Sequence, residues 1–184
     1  MTTATISIDD SSEKELIAGC LAGNRTAQEQ LYKLFSPKMF GLCLRYSGDF
    51  HTAEDILQEG FVKVYNNIDR YRHEGSFEGW MKRIFINTAI EHFRKAFRFD
   101  EMAPGSSKEE QTLSSNNSWS GIATKELLSM VQKLSPGYRT VFNMYAVEGF
   151  SHKEISETLN ITEGTSKSQL ARARVILQKM IGER

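Results

Sequence analysis

The chain has 184 residues, with 23 basic and 23 acidic side chains and a formal net charge of zero. That balance argues against a nucleic-acid binder working through overall positive potential, and the length leaves room for one large or two small domains. Cys20 and Cys43 lie in apolar helical patterns without metal-ligand spacing, so they are expected to be reduced core residues. The polar, acidic start MTTATISIDDSSEKE lacks the basic opening and apolar run of a signal peptide. No apolar run approaches the roughly 20 residues of a membrane span, so no membrane insertion and a cytoplasmic location are expected.

Helical periodicity dominates, only Pro37, Pro104 and Pro136 punctuate it, and strand-type alternation is nowhere sustained. The expected fold is all-α. Helix starts are marked by Ser12 with Glu15, Thr26 with Glu29, Thr52 with Asp55, and Ser76 ahead of a long apolar-basic run. Over residues 53–67 the faces separate: Ile56, Leu57, Gly60, Phe61 and Val64 make an apolar stripe, with Glu54, Asp55, Gln58, Glu59 and Val62 opposite. This acidic face with a valine in it fits docking against a basic protein helix, and equally fits an ordinary solvated face.

The loop 68–75, IDRYRHEG, presents Tyr71, Arg72 and His73, and the helix expected over 77–98 is basic and aromatic together. Trp80, Ile84, Ile86, Ile90 and Phe93 or Phe97 have core spacing, and Lys82, Arg83, Asn87, His92, Arg94, Lys95 and Arg98 occupy the remainder. Basic side chains neutralise phosphates, while aromatics and amides can hold unstacked bases. Trp80 and Phe93 read as core. Asn87 and Tyr71, with no evident task in a core, point to nucleic acid.

Composition changes over 99–121, where six serines, two asparagines, Pro104 and Gly105 accompany four acids and one base. Too few apolar groups remain to offset the entropy of ordering, so this stretch reads as a linker. Beyond it, residues 125–134 carry Leu127, Leu128, Val131 and Leu134 at helical spacing, and Ser135-Pro136 restarts the chain as N-cap and first helical residue. The next helix runs through Val141, Phe142 and Tyr145 to a stop near Gly149.

Residues 149–181 carry the most informative pattern. Ser151 with Glu154 forms a capping box, Ile155 and Leu159 share a face, Asn160 suits a turn, and Thr162 can cap the following helix. From 164 to 181 that helix holds Lys167, Arg172, Arg174 and Lys179 and no acid, with Leu170, Ala173, Leu177 and Met180 at core spacing. A short capped helix, a tight turn and a basic helix read as a DNA-binding helix-turn-helix. Catalytic patterns are missing: the four histidines are scattered, and there is no metal-ligand spacing, nucleophile elbow or phosphate-cradling glycine loop. No enzyme activity, metal or cofactor is expected.

In this order the segments resemble the extracytoplasmic-function (group IV) sigma factors of bacterial RNA polymerase, over about residues 13–180. AEDILQEGFVKVY resembles region 2.2, which binds the β′ coiled coil; GSFEGWMKRIFINTAIEHFRK resembles regions 2.3 and 2.4, which melt and read the −10 element. LSPGYRTVFNMYAVEGFSHKEISETLNITEGTSKSQLARAR resembles region 4, which reads the −35 element. The resemblance implies a region 2 domain over 12–98, a flexible linker over 99–121 that threads towards the polymerase active site, and a region 4 domain over 122–184. Its implied partners are core RNA polymerase (the β′ and β subunits), promoter DNA and an anti-sigma factor.

By position, the resemblance puts Asp55, Gln58, Glu59 and Val62 against the polymerase. Tyr71, Arg72, Lys82, Arg83, Asn87, Arg94 and Lys95 fall on the −10 DNA, Asn87 capturing a flipped base and Tyr71 lining its pocket. Thr165, Lys167, Ser168, Gln169, Arg172 and Arg174 fall on the −35 element. Gln169, where arginine is frequent, and Ala171, where a bulky side chain can occur, depart from the commoner pattern. The competing reading is an ordinary helix-turn-helix regulator with an N-terminal dimerisation or signal-receiving domain. A protein-binding helical adaptor is a third, which leaves the Lys167–Arg174 cluster unexplained.

Overall fold

The computed structural model describes residues 10–102 and 122–182, with side chains over 11–94 and 125–182. The side chains of Lys95, Phe97 and Arg98, and residues 103–121 of the expected 99–121 linker, lie outside the described residues, while residues 99–102 continue α4. The elements are α1 (Asp10–Leu21), α2 (Arg25–Tyr46), α3 (Phe50–Asn67), a 3-10 turn (Ile68–Arg70), α4 (Phe77–Met102), α5 (Ile122–Lys133), α6 (Pro136–Phe142), α7 (His152–Leu159) and α8 (Glu163–Gly182). A π turn, Asn143–Val147, extends α6. Every regular element among the described residues is helical.

Local capping chemistry sets most of the boundaries. Ser151 and Glu154 close the expected box at the start of α7, and Asn160 ends that helix at φ 56°, ψ 48°. Thr162 Oγ1 accepts from the Thr165 amide at 3.0 Å to start α8. Ser76 Oγ accepts from the Gly79 amide at 3.1 Å and starts α4. Earlier in the chain three starts fall before the expected residue. Asn24 caps α2, accepting from the amides of Thr26 and Ala27. Asp49 caps α3, accepting from the Thr52 amide and the Thr52 hydroxyl. Ser12 lies inside α1. Asn and Asp outrank Thr as N-caps, and each sits two or three residues ahead of the threonine.

Helices α1 to α4 enclose a core of Leu31, Met39, Leu42, Cys43, Ile56, Val64, Phe77, Met81 and Phe85, each 1% exposed or less. Burial pushes the Cys43 thiol up to about 12, and both cysteines are free and buried, as expected. Pro37 sits inside α2 without ending it. The lost hydrogen bond costs about 3 kcal/mol, which the burial of Leu31, Phe35, Met39 and Leu42 at about 1.5–3 kcal/mol each outweighs. Where α3 crosses α4, Gly60 lets the Phe85 ring close in: a Cβ there would lie 2.3 Å from Phe85 Cε1.

The same crossing carries a polar brace. Glu59 receives Lys63 Nζ at 2.9 Å and His92 Nε2 at 2.6 Å, and Lys63 also reaches Glu91 on α4 at 2.6 Å. Lys63 first, with His92, holds the Glu59 carboxyl below its ordinary 4.5 despite partial burial.

The C-terminal helices pack against the N-terminal four. Val141, Met144, Ile155 and Leu170 belong to the same apolar cluster as the α1–α4 core, while Met130, Val131, Leu134, Ala173 and Leu177 make a smaller one between α5 and α8. Leu127, expected on the apolar stripe of α5, is 52% exposed because the helix turns its Met130–Val131 side inward instead.

The seam between the two halves is built on the end of α2. A helix leaves its last carbonyls without intrahelical donors. The Ser47 amide reaches back to the Cys43 carbonyl at 2.8 Å, and the next two carbonyls are met by side chains of the C-terminal half. Gln132 Nε2 donates to the Leu44 carbonyl at 2.9 Å, and Asn143 Nδ2 donates to the Arg45 carbonyl at 2.7 Å. Arg45 also pairs with Glu148 at 2.8 Å. Arg139 lies buried over Gly48, donating to the Gln132 carbonyl at 2.8 Å; desolvation, only partly offset by Asp49, pulls it down to about 10.

The seam is also where hydrogen bonding is incomplete. Among the described residues, the buried side-chain atoms without a partner are Arg45 Nε, Tyr46 Oη, Gln132 Oε1, Arg139 Nε and Asn143 Oδ1. All five are seam atoms. Each such group costs about 1–3 kcal/mol relative to one that is paired or hydrated.

Two outcomes follow from the α3–α4 crossing. Gly60→Ala forces the Phe85 ring aside in a filled core and is expected to lower unfolding free energy by about 1–3 kcal/mol in urea titrations. The Glu59 carboxyl, held low in the folded state, adds stability above its unfolded value, and that stability drains away as pH falls through the folded one. The urea-midpoint gap between wild type and Glu59→Gln is therefore expected to be widest near neutral pH and to shrink below about pH 4.

Candidate functional site

Three surfaces emerge from the elements above. On α3 the residues opposite the core are Glu54, Asp55, Gln58 and Val62, all exposed, with Val62 at 58%. Glu59, expected on that face, is half-buried and committed to Lys63 and His92. A step of one residue turns a helix by about 100°, which carries Glu59 from the open face to the α4 edge. The free patch is smaller and less acidic than the sequence suggests: two carboxylates, one amide and an exposed valine.

The second surface is α4 and the loop before it. Tyr71 is packed rather than free, with ring centroids 5.1 Å from Phe77 and 5.6 Å from Trp80, and its hydroxyl donates to the Gly75 carbonyl at 2.8 Å. Phe77 and Trp80 stack at 5.4 Å, so the loop is anchored by an aromatic cluster and Arg72 projects from it, exposed. Along α4 the basic residues divide. Lys82 shares Glu78 with Lys38 of α2, at 3.0 and 2.7 Å. Arg83, Asn87 and Arg94 follow one another along a single stripe. Arg83 and Asn87 line a cleft of about 260 Å³ whose other wall is Phe150, Glu154, Glu157 and Thr158, and Arg94 donates to the Thr158 carbonyl at 2.6 Å. Opposed charges thus face each other across the cleft. The Ser151 amide first, with a smaller pull from Arg83, keeps the Glu154 carboxyl below its ordinary value.

The third surface is α8. Leu170, Ala173 and Leu177 are buried, which turns Lys167, Ser168, Ala171, Arg172, Arg174 and Val175 outward. The exposed residues are not equally free. Arg172 Nη1 donates to the Tyr138 hydroxyl of α6 at 3.3 Å. Arg174 lies 5.7 Å from the centre of the Tyr145 ring, which stacks on His152 at 4.5 Å. Lys167 makes a loose 3.6 Å pair with Glu163, a geometry worth little in water. Gln169 is half-buried beside Gly137, and Thr165 shares the N-cap of α8 with Thr162 at 2.9 Å. Of the six residues expected to meet DNA, Lys167, Ser168, Arg172 and Arg174 are exposed, and Thr165 and Gln169 are half-buried.

Sequence reasoning passed over Gln132, Arg139 and Asn143. Their one signal is polarity at positions where the α5–α6 periodicity calls for apolar side chains, among Met130, Val131, Val141 and Met144. Among the described residues no group of three or more histidines, cysteines, aspartates or glutamates is placed to hold a metal, and no helix is long and apolar enough to cross a membrane.

Comparison with known proteins places this architecture. Residues 31–99 match the sigma-70 region 2 family, and residues 124–177 match sigma-70 region 4. The chain is 32% identical to the ECF RNA polymerase sigma factor SigW of Bacillus subtilis, covering 91% of this chain and 96% of that one. It is 24% identical to the RNA polymerase sigma-H factor of Pseudomonas aeruginosa, covering 92% and 93% respectively. The fold is shared with the sigma factor RpoE of Bartonella quintana, solved in complex with the anti-sigma factor NepR, at a TM-score of 0.60 and 21% identity over 84% of this chain and 96% of that one. Two sigma-70 regions in order leave no room for a plain helix-turn-helix regulator: the chain belongs to the extracytoplasmic-function sigma factors, and its function is that of a sigma factor in transcription initiation.

Proposed function

We propose that the three surfaces divide the work of initiation among them, without chemistry of the chain's own. The patch of Asp55, Gln58 and Val62 docks on a basic helix of core RNA polymerase, with Glu59 setting the α3–α4 angle behind it. A region 2 domain over 12–98 uses Arg83, Asn87 and Arg94, with Tyr71, Arg72, Lys82 and Lys95 around them, to open and hold −10 DNA. A region 4 domain over 122–184 reads the −35 element through Lys167, Ser168 and Arg172, flanked by Thr165, Gln169 and Arg174. The linker 99–121 joins the two in a cytoplasmic protein, and an anti-sigma factor is a further partner.

The observation that carries this reading is the coexistence, in one chain, of an exposed apolar residue among acids on α3 and a basic face on α8 that carries no acid beyond Glu163 in its first turn. A plain DNA-binding protein needs only the second. Co-purification with bacterial core RNA polymerase, followed by run-off transcription from promoter templates, tests it: transcripts that depend on the chain support the reading, and none on any template would contradict it.

Two expectations concern individual residues. Asn87 is exposed in the cleft; holding an extruded base there is worth on the order of 1–3 kcal/mol in hydrogen bonds. Asn87→Ala is expected to weaken permanganate reactivity of the promoter bubble while leaving −35 binding intact. On α8, a guanidinium can fork onto a guanine edge where a lysine acts as a point charge. Arg172→Ala is expected to cost roughly 1–3 kcal/mol and relax discrimination at one −35 position, whereas Lys167→Ala weakens all promoters alike and reduces the salt slope by about one. Isotherms on −35 variants at several salt concentrations separate the two.

A further inference from the structure

The first turn of α6 leans on α8 at two places. Tyr138 of α6 has its ring packed against the cluster of Met130, Val131, Leu134, Ala173 and Leu177 between α5 and α8. Its hydroxyl is thereby carried to the exposed side of α8, where it accepts from Arg172 Nη1 at 3.3 Å. One turn earlier on α8, half-buried Gln169 lies against Gly137, its Oε1 3.5 Å from where a Cβ on that glycine would stand. Lys167 pairs within its own helix instead, with Glu163 at 3.6 Å. Of the two bases given different −35 contacts above, Arg172 is thus the one tied to a neighbouring helix.

The Tyr138 contact orders a side chain without using it up. A guanidinium on a free arginine stem samples many rotamers, and that freedom is lost when it forks onto a guanine edge. Here the bond to Tyr138 occupies one N–H of Nη1, and the donors on Nε and Nη2 stay available for a guanine O6 and N7. The tether is itself firm, because the tyrosine ring is held in the cluster on which α5 and α8 meet. For folding the bond counts little: Arg172 is exposed, so water replaces the hydroxyl if it is removed. Its effect lies in where the guanidinium points.

We propose that Tyr138 is a positioning residue for −35 recognition: its hydroxyl holds the Arg172 guanidinium towards a base edge, so that α6 shares with α8 in setting the base preference at one position. The inference rests on the assignment of Arg172 to a −35 base and adds the residue that aims it.

The test uses the full-length chain reconstituted with bacterial core RNA polymerase and a double-stranded DNA library randomised at both promoter elements. Bound DNA is sequenced for wild type, Tyr138→Phe, Arg172→Ala and the double variant. Phenylalanine keeps the ring in the cluster, so Tyr138→Phe is expected to melt with the wild type by circular dichroism. Arg172→Ala is expected to flatten the preference at one −35 position. Tyr138→Phe is expected to weaken that same preference by roughly two- to tenfold, the cost of ordering one arginine side chain, and to leave the other −35 positions and the −10 preference alone. In the Arg172→Ala background Tyr138→Phe is expected to change nothing more. An unaltered preference at the Arg172 position in Tyr138→Phe would overturn the positioning role and leave Arg172 as the reader. An effect of Tyr138→Phe that persists without Arg172 would also overturn it, since the hydroxyl would then make a DNA contact of its own. If Arg172→Ala itself leaves every −35 preference intact, the assignment of Arg172 to a base is what fails.

Discussion

The two carbonyls at the C-terminal end of α2 are the constraint on which the arrangement of the molecule depends. Leu44 and Arg45 end a helix whose flanks are buried, so their oxygens have to be met by protein, and the donors come from Gln132 and Asn143. Satisfying them fixes α5 and α6 against α2 and brings buried Arg139 over Gly48. That placement in turn decides where α7 falls. With α6 docked, the turn after the π segment delivers Ser151, and the capping box launches α7 across the basic stripe of α4. A backbone-capping requirement at the end of α2 therefore sets where α7 lies beside α4.

Charge tells the same story at larger scale. The chain is neutral overall, yet its signs are segregated: residues 81–98 carry five bases against one acid, and α7 places Glu154 and Glu157 across the cleft from one of those bases, Arg83. A segregated neutral chain can fold onto itself as well as onto partners, since each partner surface has a complement within the same molecule. The α8 face escapes this. There Lys167 makes a loose 3.6 Å pair with Glu163, and Arg172 and Arg174 are exposed.

What was legible in the sequence divides by range. The all-α fold, the capping box at Ser151, the left-handed stop at Asn160 and the apolar stripe of α8 rest on residues within a few positions of one another, and the structure carries all of them. The early caps slipped because Asn24 and Asp49, better acceptors than threonine, stand two or three residues ahead of it. Glu59 slipped because periodicity places a residue in an arc without saying which edge a neighbouring helix will claim; only the approach of α4 at Gly60 gives it His92. Tyr71 reads as idle from its loop alone, and finds Phe77 and Trp80 once the loop folds back. The seam lay furthest from view. Gln132 bonds a carbonyl 88 positions away and Asn143 one 98 positions away, with the linker between, and an amide on a helix otherwise reads as a solvated side chain.

A distance measured across the seam reports most directly on the docking of the C-terminal helices against α2. Spin labels on cysteines introduced at exposed Lys33 of α2 and Gln178 of α8 leave the native thiols alone, because Cys20 and Cys43 are buried and burial raises both out of their reactive range. Docking through the α2 cap predicts one narrow, short distance for the wild type, which broadens in Gln132→Ala/Asn143→Ala. A broad distribution in the wild type, or one unchanged by removing the two caps, would contradict it.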